Sequence, residues 1–262
     1  MEIAVNLTPE IRLEQALIEA GIENVVTKLT VAGNLTKDDF RYIGKTMGKT
    51  LRELDMSDAT IEKNTLKAKT FYQPCGLTAI TIPDSVDHIY LKAFNDCPVL
   101  NSITIRSSSK HPKCSSENGI LFNKDKTELL YCPAGRKGDY LIPDSVKTIK
   151  SDAFAHSNLS TITIPNSVTE IEPYAFYECE RLTSVVIPDS VTKIGIGTFS
   201  GCSNLTTVTI PDSVNEIDAN VFFECYRLTN IIRNTTLIKF KAYSYYDCPA
   251  LEEIRERSNY KK

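Results

Sequence analysis

The stretch Leu205-Thr-Thr-Val-Thr-Ile-Pro-Asp-Ser-Val-Asn-Glu-Ile-Asp-Ala-Asn-Val-Phe-Phe-Glu-Cys-Tyr-Arg227 decides the fold, because its pattern recurs along the chain. The shared unit reads Leu-x-x-Ile-x-Ile-Pro-Asp-Ser-Val-x-x-Ile-x-x-x-Ala-Phe-x-x-Cys-x-x, and residues 182–204 and 77–99 are two further copies. Three sets of residues step by 23 positions: Pro165, Pro188 and Pro211; Cys179, Cys202, Cys225 and Cys248; and Leu159, Leu182, Leu205, Leu228 and Leu251. A fixed period of this length indicates a repeat architecture in which each unit is one short coil.

The order of residue types within one unit predicts its local structure. The β-branched stretch at its start alternates apolar and polar residues from the fourth to the sixth position, which is typical of a half-buried strand. The proline that follows has no N–H group for the sheet and ends the strand. Asp and Ser then favour a turn, a second short extended piece follows, and Ala-Phe-x-x-Cys fits a short 3₁₀ or irregular corner. Because one unit cannot bury its own apolar side, we predict a mainly β solenoid of stacked 23-residue coils with parallel strands and short helical or 3₁₀ segments.

Residues outside the period define the predicted domain organisation. Residues 1–25 are expected to hold an N-terminal capping helix over 9–20, with Thr8 as its N-cap and Gly21 just past its end. A single solenoid is expected over residues 26–255, and residues 256–262 form a C-terminal tail. Residues 106–139 are an insertion, within which 119–131 predict a β-hairpin that turns at 123–126.

The motif Ile-Pro-Asp-Ser-Val-x-x-Ile…Ala-Phe-x-x-Cys resembles the BspA-like leucine-rich repeat family. The resemblance extends to Leu54-Asp-Met-Ser-Asp-Ala59 and to Ser116-Glu-Asn-Gly-Ile-Leu-Phe-Asn-Lys-Asp125…Cys132-Pro-Ala-Gly135, and it covers nearly all of residues 26–255. It implies a leucine-rich-repeat solenoid of a kind that bacteria often export and display on the cell surface. Some members of the family are implicated in adhesion and host-protein binding. The family has no shared catalytic motif, so the resemblance assigns no catalytic residue.

Three repeat positions predict the contacts between coils. The aromatic position is expected to form an internal spine of Phe71, Phe94, Phe154, Phe176, Phe199, Phe222 and Tyr245. The position three residues later holds Cys97, Cys179, Cys202, Cys225 and Cys248, and because Pro74 and Ser157 also occur there we expect small buried side chains with free thiols. Off this ladder, Cys114 and Cys132 could pair in an oxidising compartment. Glu170, Lys193, Glu216 and Lys239 alternate in sign at intervals of 23 and predict a cross-strand ion ladder.

Composition and motifs exclude several classes of function. The 262 residues carry 30 basic and 33 acidic side chains, a balance that gives no electrostatic footprint for nucleic acid. No apolar run approaches the ~20 residues of a membrane span. The N-terminus shows no signal peptide, which fits a cytoplasmic protein or a chain whose leader was removed. No nucleotide-binding, hydrolase or clustered zinc motif occurs, so we predict no cofactor, metal or catalytic residue.

The predicted binding surface is the outward face of the main sheet, because solenoids present an extended open surface to partners. Its candidate residues are Thr81, Thr104, Leu141, Thr163, Val186, Thr209 and Ile232. The inserted hairpin, with Phe122, is a second candidate surface. The expected partner is a protein, including a host or matrix protein, or a glycan. The alternatives are a structural spacer or intracellular scaffold without a dedicated ligand and, least favoured, an enzyme that uses His111 or Cys114 beside the hairpin.

Overall fold

The computed structural model describes residues 1–22, 26–71, 75–106, 113–233, 239–241 and 243–249. The chain divides into two compact units. Unit 1 comprises Met1–Asp125 with Pro133–Gly135, and unit 2 comprises Lys126–Cys132 with Arg136–Lys262. No helix in the described ranges is long and apolar enough to cross a membrane. The single solenoid over residues 26–255 stays a prediction.

Unit 1 is organised around a parallel sheet in the order β1-β2-β3-β5-β7. Its strands are β1 (Glu2–Asn6), β2 (Lys28–Leu35), β3 (Glu53–Ile61), β4 (Thr65–Leu66), β5 (Ala79–Ile82), β6 (His88–Ile89), β7 (Ser102–Ile105), β8 (Cys114–Glu117) and β9 (Ile120–Asn123). In register across β2, β3, β5 and β7, the side chains of Leu29, Leu54, Ile80 and Ile103 are buried. A separate short parallel pair joins β4 to β6. Successive coils therefore align their apolar positions, as the repeat predicts.

The N-terminal helix α1 (Leu13–Glu19) is shorter than the predicted range 9–20. The hydroxyl of Thr8 accepts hydrogen bonds from the N–H groups of Glu10 and Ile11, so these residues form a turn and the helix begins later. Ahead of this turn, β1 pairs in parallel with β2 and extends the sheet, which the repeat pattern does not predict.

A second helix, α2 (Lys37–Tyr42), lies in the first irregular coil and continues into a π-helical turn over Ile43–Met47. The side chain of Asp39 is almost fully buried and fixes this helix. Its carboxylate accepts hydrogen bonds from the backbone and hydroxyl groups of Thr36 and from the N–H group of Leu13, at the start of α1. It also forms an ion pair with Arg12. Since a buried carboxylate needs several partners, Asp39 joins the two helices. Unit 1 also has 3₁₀ turns at Glu62–Asn64 and Leu91–Ala93.

Unit 2 repeats a longer and a short strand along its coils, except that in residues 182–204 an isolated bridge between Ile194 and Ile171 takes the place of the short strand. Its strands are β10 (Glu128–Tyr131), β11 (Lys137–Leu141), β12 (Thr148–Ile149), β13 (Asn158–Thr163), β14 (Glu170–Ile171), β15 (Ser184–Val186), β16 (Thr207–Thr209), β17 (Glu216–Ile217), β18 (Asn230–Ile232) and β19 (Lys239–Phe240). The longer strands pair in parallel as β11-β13 and β15-β16-β18. The short strands pair in parallel as β10-β12-β14 and β17-β19. These are the two extended pieces predicted for every unit.

The predicted insertion contains strands where the sequence indicates them. A turn after Asn123 separates β9 from β10, within the predicted hairpin range 119–131. An additional antiparallel hairpin joins β8 to β9, with Cys114 opposite Asn123 and Glu117 opposite Ile120. The sequence does not reveal this second hairpin, because β8 is a run of small and polar residues.

A stack of phenylalanine rings fills the interior of unit 2. The ring centroids of Phe154, Phe176, Phe199 and Phe222 follow one another at 5.0, 5.2 and 5.9 Å, with interplanar angles of 10° or less. In unit 1, Phe71 and Phe94 stack at 6.1 Å. These members of the predicted spine are all buried. The prediction is wrong for Tyr245, which is half-buried and packs edge-on against Phe240 at 5.5 Å, so the stack ends at Phe222.

The cysteine ladder joins each coil of unit 2 to the one before it. The thiols of Cys179, Cys202, Cys225 and Cys248 donate to the backbone carbonyls of Phe154, Phe176, Phe199 and Phe222 at 3.0, 3.2, 3.1 and 2.8 Å. Burial raises the pKa of the Cys202 and Cys225 thiols well above the ordinary range, so both stay protonated and able to donate. All eight cysteines are free and only Cys114 is not buried. The predicted structural role of the ladder is confirmed.

The predicted ion ladder is wrong in its position. No ion pair joins any two of Glu170, Lys193, Glu216 and Lys239, all of which lie in the described part of the chain. The ion pairs form two residues further along, where each coil leaves its short strand: Lys150 with Glu172, and Lys241 with Asp218 at 3.2 Å. Lys241 also reaches back to Glu216 at 2.8 Å. The lysines therefore contact carboxylates of the neighbouring coil two residues beyond the predicted positions, which a period of 23 alone cannot locate.

Candidate functional site

Five of the predicted binding residues form one row on unit 2, here called the apolar row: Leu141, Thr163, Val186, Thr209 and Ile232. They occupy the outward position of the longer strands, where side chains alternate between the core and the surface. Leu141 lies beside Thr163, and Val186, Thr209 and Ile232 lie side by side in register. Three of them are exposed aliphatic side chains, Leu141 at 67%, Val186 at 63% and Ile232 at 50%. The row therefore presents exposed aliphatic side chains on two sets of paired strands, β11-β13 and β15-β16-β18.

A groove with only basic charges lies where the same strands begin, and is here called the basic groove. It has a volume of about 350 Å³ and is lined by Lys137, Gly138, Asn158, Ser160, Arg181, Thr183, Asn204, Thr206 and Arg227. The side chain of Arg181 is oriented by Asn158, whose amide oxygen accepts its Nε–H at 3.1 Å. Asn204 is fixed by donating to the carbonyl of Glu180 at 2.7 Å. None of the described residues that line the groove is acidic, so it favours a negatively charged partner.

The sequence does not single out the basic groove, although one signal for it exists. Asn158, Arg181, Asn204 and Arg227 stand at intervals of 23. These positions carry no apolar side chain, so the repeat pattern treats them as variable. Stacking of the coils brings them together, and Lys137 joins them from the start of β11, at the end of the predicted insertion.

The outward positions of unit 1 are different in character. Thr81 lies opposite Thr104 in the β5-β7 register, and Asp55 lies opposite Thr81 on the other side. Thr104 is exposed and Thr81 is half-buried. This part of the sheet is polar, without the exposed aliphatic side chains of the apolar row.

The prediction that Phe122 offers a contact surface is wrong. Ile120, Leu121 and Phe122 are consecutive residues of β9 and all three are fully buried. A strand buried on both faces belongs to the core, because neither set of alternating side chains meets water. Lys124 in the following turn is exposed, so the turn rather than the aromatic side chain faces solvent.

Of the two residues considered for catalysis, the structure describes only Cys114. His111 lies outside the described residues. Cys114 is half-buried on β8, and burial raises the pKa of its thiol, which disfavours the nucleophilic thiolate. Burial likewise raises the pKa of the Cys132 thiol to about 12. Across the described ranges, no group of three or more His, Cys, Asp or Glu side chains could hold a metal ion.

Comparisons with solved structures agree with the architecture described above. A leucine-rich repeat protein from Eubacterium ventriosum is 23% identical with a TM-score of 0.60, and the match covers 95% of this chain and 77% of that one. A leucine rich cell surface protein from Faecalibacterium prausnitzii is 23% identical with a TM-score of 0.53, over 82% of this chain and 65% of that one. The pneumococcal vaccine antigen PcpA is 20% identical with a TM-score of 0.51, over 93% of this chain and 58% of that one. This chain therefore spans less than two thirds of the length of the last two proteins.

No curated protein matches the chain. The BspA type leucine rich repeat region matches it in six copies, over residues 56–116 and 139–259. These ranges include most of the coils described above and all five residues of the apolar row. The chain belongs to the BspA-type leucine-rich repeat family.

Proposed function

We propose that this chain is a non-enzymatic leucine-rich-repeat binding module that docks a partner protein on the sheet face of unit 2. The observation that carries the proposal is the apolar row, in which three aliphatic side chains are at least half exposed among small polar residues. Exposed apolar side chains with polar neighbours are typical of interaction surfaces, and here they stand on alternate strands with threonines between them. Because strands hold the row in place, little ordering entropy is lost when a partner binds.

The positive charge of the basic groove indicates which charge the partner's contact surface should carry. The groove and the apolar row lie at opposite ends of the same parallel strands, so one partner can contact both. The partner we propose is a protein whose contact surface carries acidic side chains opposite Arg181 and Arg227 and aliphatic or aromatic side chains opposite Val186. Complementary charge raises the association rate and selects among partners, while apolar burial slows dissociation.

The proposed setting is the bacterial surface or its surroundings, where the module would act in adhesion to a host or matrix protein. The family to which the chain belongs supports this setting, as does the description of the Faecalibacterium prausnitzii structure as that of a cell surface protein. Fractionation of the native cells tests it: the protein is expected in the surface or secreted fraction and accessible to added protease. Recovery in the cytoplasm alone would contradict the surface role and leave an intracellular scaffold.

Binding to a panel of purified matrix proteins and glycans tests the docking surface. For any saturable partner, Val186→Asp and Thr163→Glu are expected to weaken binding about ten-fold or more, because charges replace a central part of the interface. Arg181→Glu is expected to slow association and to reduce its dependence on salt. The measurement is surface plasmon resonance at two ionic strengths.

Two matched controls lie in the same unit. Ile196→Asp places the same charge at another exposed aliphatic position, and Lys193→Glu makes the same charge reversal outside the basic groove. Both are expected to bind like the unmodified chain. Equal affinity for Val186→Asp and the unmodified chain contradicts the face assignment. Saturable binding to glycans alone points to a glycan module, and no saturable partner favours a structural spacer.

A further inference from the structure

Two neighbouring coils of unit 2 carry exposed aromatic rings where the chain turns after a short strand. Residues 220–226 follow β17, and residues 243–249 follow β19. Three tyrosines of these segments are about half exposed or more, Tyr226 at 49%, Tyr243 at 67% and Tyr246 at 51%. They belong neither to the apolar row nor to the basic groove. We call this surface the aromatic corner, and its side chains are Phe223, Glu224, Tyr226, Tyr243, Tyr246 and Asp247.

The rings of the aromatic corner contact one another and are held by the backbone. Tyr246 stacks on Phe223 with centroids 6.0 Å apart and an interplanar angle of 10°. It also meets Tyr243 edge-on at 5.9 Å. The N–H group of Glu224 donates to the carbonyl of Tyr246 at 3.1 Å, which joins the two segments. The rings are therefore in place before a partner arrives, and this reduces the entropy lost on binding.

Two carboxylates stand among these rings without a counter-charge. Glu224 and Asp247 form no ion pair with any residue that the structure describes. Partial burial and the charges of these two carboxylates raise the pKa of Tyr226, so its phenol stays neutral beside them. Residues 220–226 and 243–249 contain no basic side chain. The aromatic corner is therefore negatively charged, opposite in sign to the basic groove.

The backbone at Tyr243 indicates that its ring serves a contact outside the chain. Tyr243 has a φ of 59°, in the left-handed region where a bulky side chain strains the backbone. Gly197 stands at the same repeat position two coils earlier and has a φ of 61°, which glycine adopts without strain. Because the ring of Tyr243 is mostly exposed, packing in the core does not offset the strain. Residues held in such conformations concentrate at functional sites.

An earlier coil of the chain shows what a corner of this kind binds. There the imidazole of His156 packs edge-on against Tyr177 at 5.6 Å, and its Nδ1 lies 3.0 Å from a carboxylate oxygen of Glu178. The N–H group of His156 donates to the carbonyl of Tyr177 at 2.8 Å. Gly201 stands at the equivalent position, because its N–H group donates to the carbonyl of Phe223 at the same distance. Glycine has no side chain, so it supplies no basic group at the corresponding place in the aromatic corner.

We propose that the aromatic corner binds a basic protein segment, whose guanidinium or ammonium groups pack on the exposed tyrosine rings and pair with Glu224 and Asp247. A cation gains from the face of an aromatic ring and from a charge-assisted hydrogen bond to a carboxylate at the same time. A neutral glycan stacks on the rings but leaves both carboxylates without a counter-charge, so it fits less well. This surface is separate from the sheet face, and the proposal does not depend on the proposed function.

Titration of the full chain with a short arginine-rich peptide, followed by ¹H–¹⁵N NMR at physiological ionic strength, tests the proposal. The comparison peptide carries citrulline in place of each arginine, which keeps the shape of the side chain and removes its charge. The arginine peptide is expected to shift the amide signals of Tyr226, Tyr246 and Asp247 in a saturable way, and the citrulline peptide to bind about ten-fold more weakly. Equal affinity for the two peptides, or no saturable shift with the arginine peptide, overturns the proposal.

A pair of double variants separates the two carboxylates from the overall charge of the chain. Glu224→Gln combined with Asp247→Asn is expected to weaken binding of the arginine peptide about ten-fold. Asp144→Asn combined with Asp189→Asn removes two exposed carboxylates of unit 2 outside the aromatic corner and is expected to leave affinity unchanged. Equal losses in the two double variants mean that the peptide follows net charge alone, and they overturn the proposal.

Removal of one ring tests the aromatic contribution without damage to the fold. Tyr243→Gly is expected to weaken binding about three-fold, while the midpoint of urea unfolding does not fall, because glycine relieves the strained backbone. Tyr90→Ala removes an exposed ring from unit 1 and is expected to leave affinity unchanged. Unchanged affinity in Tyr243→Gly overturns the proposal. Val186→Asp is expected to bind the arginine peptide like the unmodified chain, so failure here and failure of the sheet face are distinguishable.

Discussion

Truncation of Phe199 to alanine tests whether the ring stack holds unit 2 together. The ring is fully buried between Phe176, with centroids 5.2 Å apart, and Phe222, at 5.9 Å. Phe199→Ala removes the ring from both interfaces and leaves a cavity between coils. Buried Phe→Ala changes cost about 3–5 kcal/mol. Since each coil is stabilised by its neighbours, and whole domains are stable by only about 5–15 kcal/mol, this one change is expected to remove a large part of the free energy of unfolding.

Equilibrium urea unfolding, followed by circular dichroism, measures the loss. The matched control is Tyr245→Ala, because that aromatic ring occupies the same repeat position but is half-buried outside the stack. We expect the control to lose clearly less stability than Phe199→Ala. A double-mutant cycle of Phe176→Leu and Phe199→Leu should show a coupling energy of about 0.5–1.5 kcal/mol from the stacked pair. Equal losses at Phe199 and Tyr245, together with no coupling, would refute the stacking account.

Two further predictions concern titratable groups of the coils. Burial raises the pKa of Glu172, but hydrogen bonds from Lys150 and Ser151 outweigh it and leave the pKa below its ordinary value of 4.5. Its contribution to stability is therefore present above about pH 4.5 and is lost as the pH falls through the folded-state pKa. Thermal unfolding measured from neutral to acidic pH tests this: Glu172→Gln should lose less stability on acidification than the unmodified chain. The control Glu180→Gln, which changes an exposed carboxylate, should lose as much stability as the unmodified chain. Identical pH dependence of stability for Glu172→Gln and the unmodified chain would contradict the role of Glu172. The second prediction concerns alkylation of the cysteines by iodoacetamide, followed by mass spectrometry. In the native protein Cys114 should react first, because it alone among the eight cysteines is not buried, and the ladder thiols should react only after unfolding. Alkylation of Cys202 in the native protein as fast as that of Cys114 would contradict the buried ladder.

The repeat predicts the interior of the fold because interior positions are constrained by every neighbouring coil. A residue such as Phe199 or Cys202 must fit the coil before it and the coil after it, so its type and spacing recur. The ends of the pattern are less predictable. Tyr245 keeps the aromatic type but not the burial of the spine, and Phe122 is buried in a strand that belongs to no repeat.

Structure without a periodic counterpart could not be derived from the pattern. Strand β1 and helix α2 each occur once, and Asp39, which fixes α2, draws its partners from segments separated by more than twenty residues of chain. The ion pairs could not be predicted for a different reason. A period of 23 places Glu170 and Lys193 on neighbouring coils, but the direction in which a long side chain leaves the backbone decides which charges meet, and the pairs form at Lys150 and Lys241 instead.

Departures from the repeat are where a solenoid of this kind can carry specificity. The inward positions are shared by the coils, so they can build a core but cannot distinguish one partner from another. On the outward positions, threonine is the ordinary residue, and Leu141, Val186 and Ile232 replace it on alternate strands without any gain in core packing, since all three are at least half exposed. In unit 1, α2 and its π-helical turn fill the connection from β2 to β3, where residues 36–52 contain no short strand. An exposed aliphatic side chain leaves a favourable apolar contact unmade in the isolated chain, and a partner that covers this side chain gains the free energy of that contact as binding.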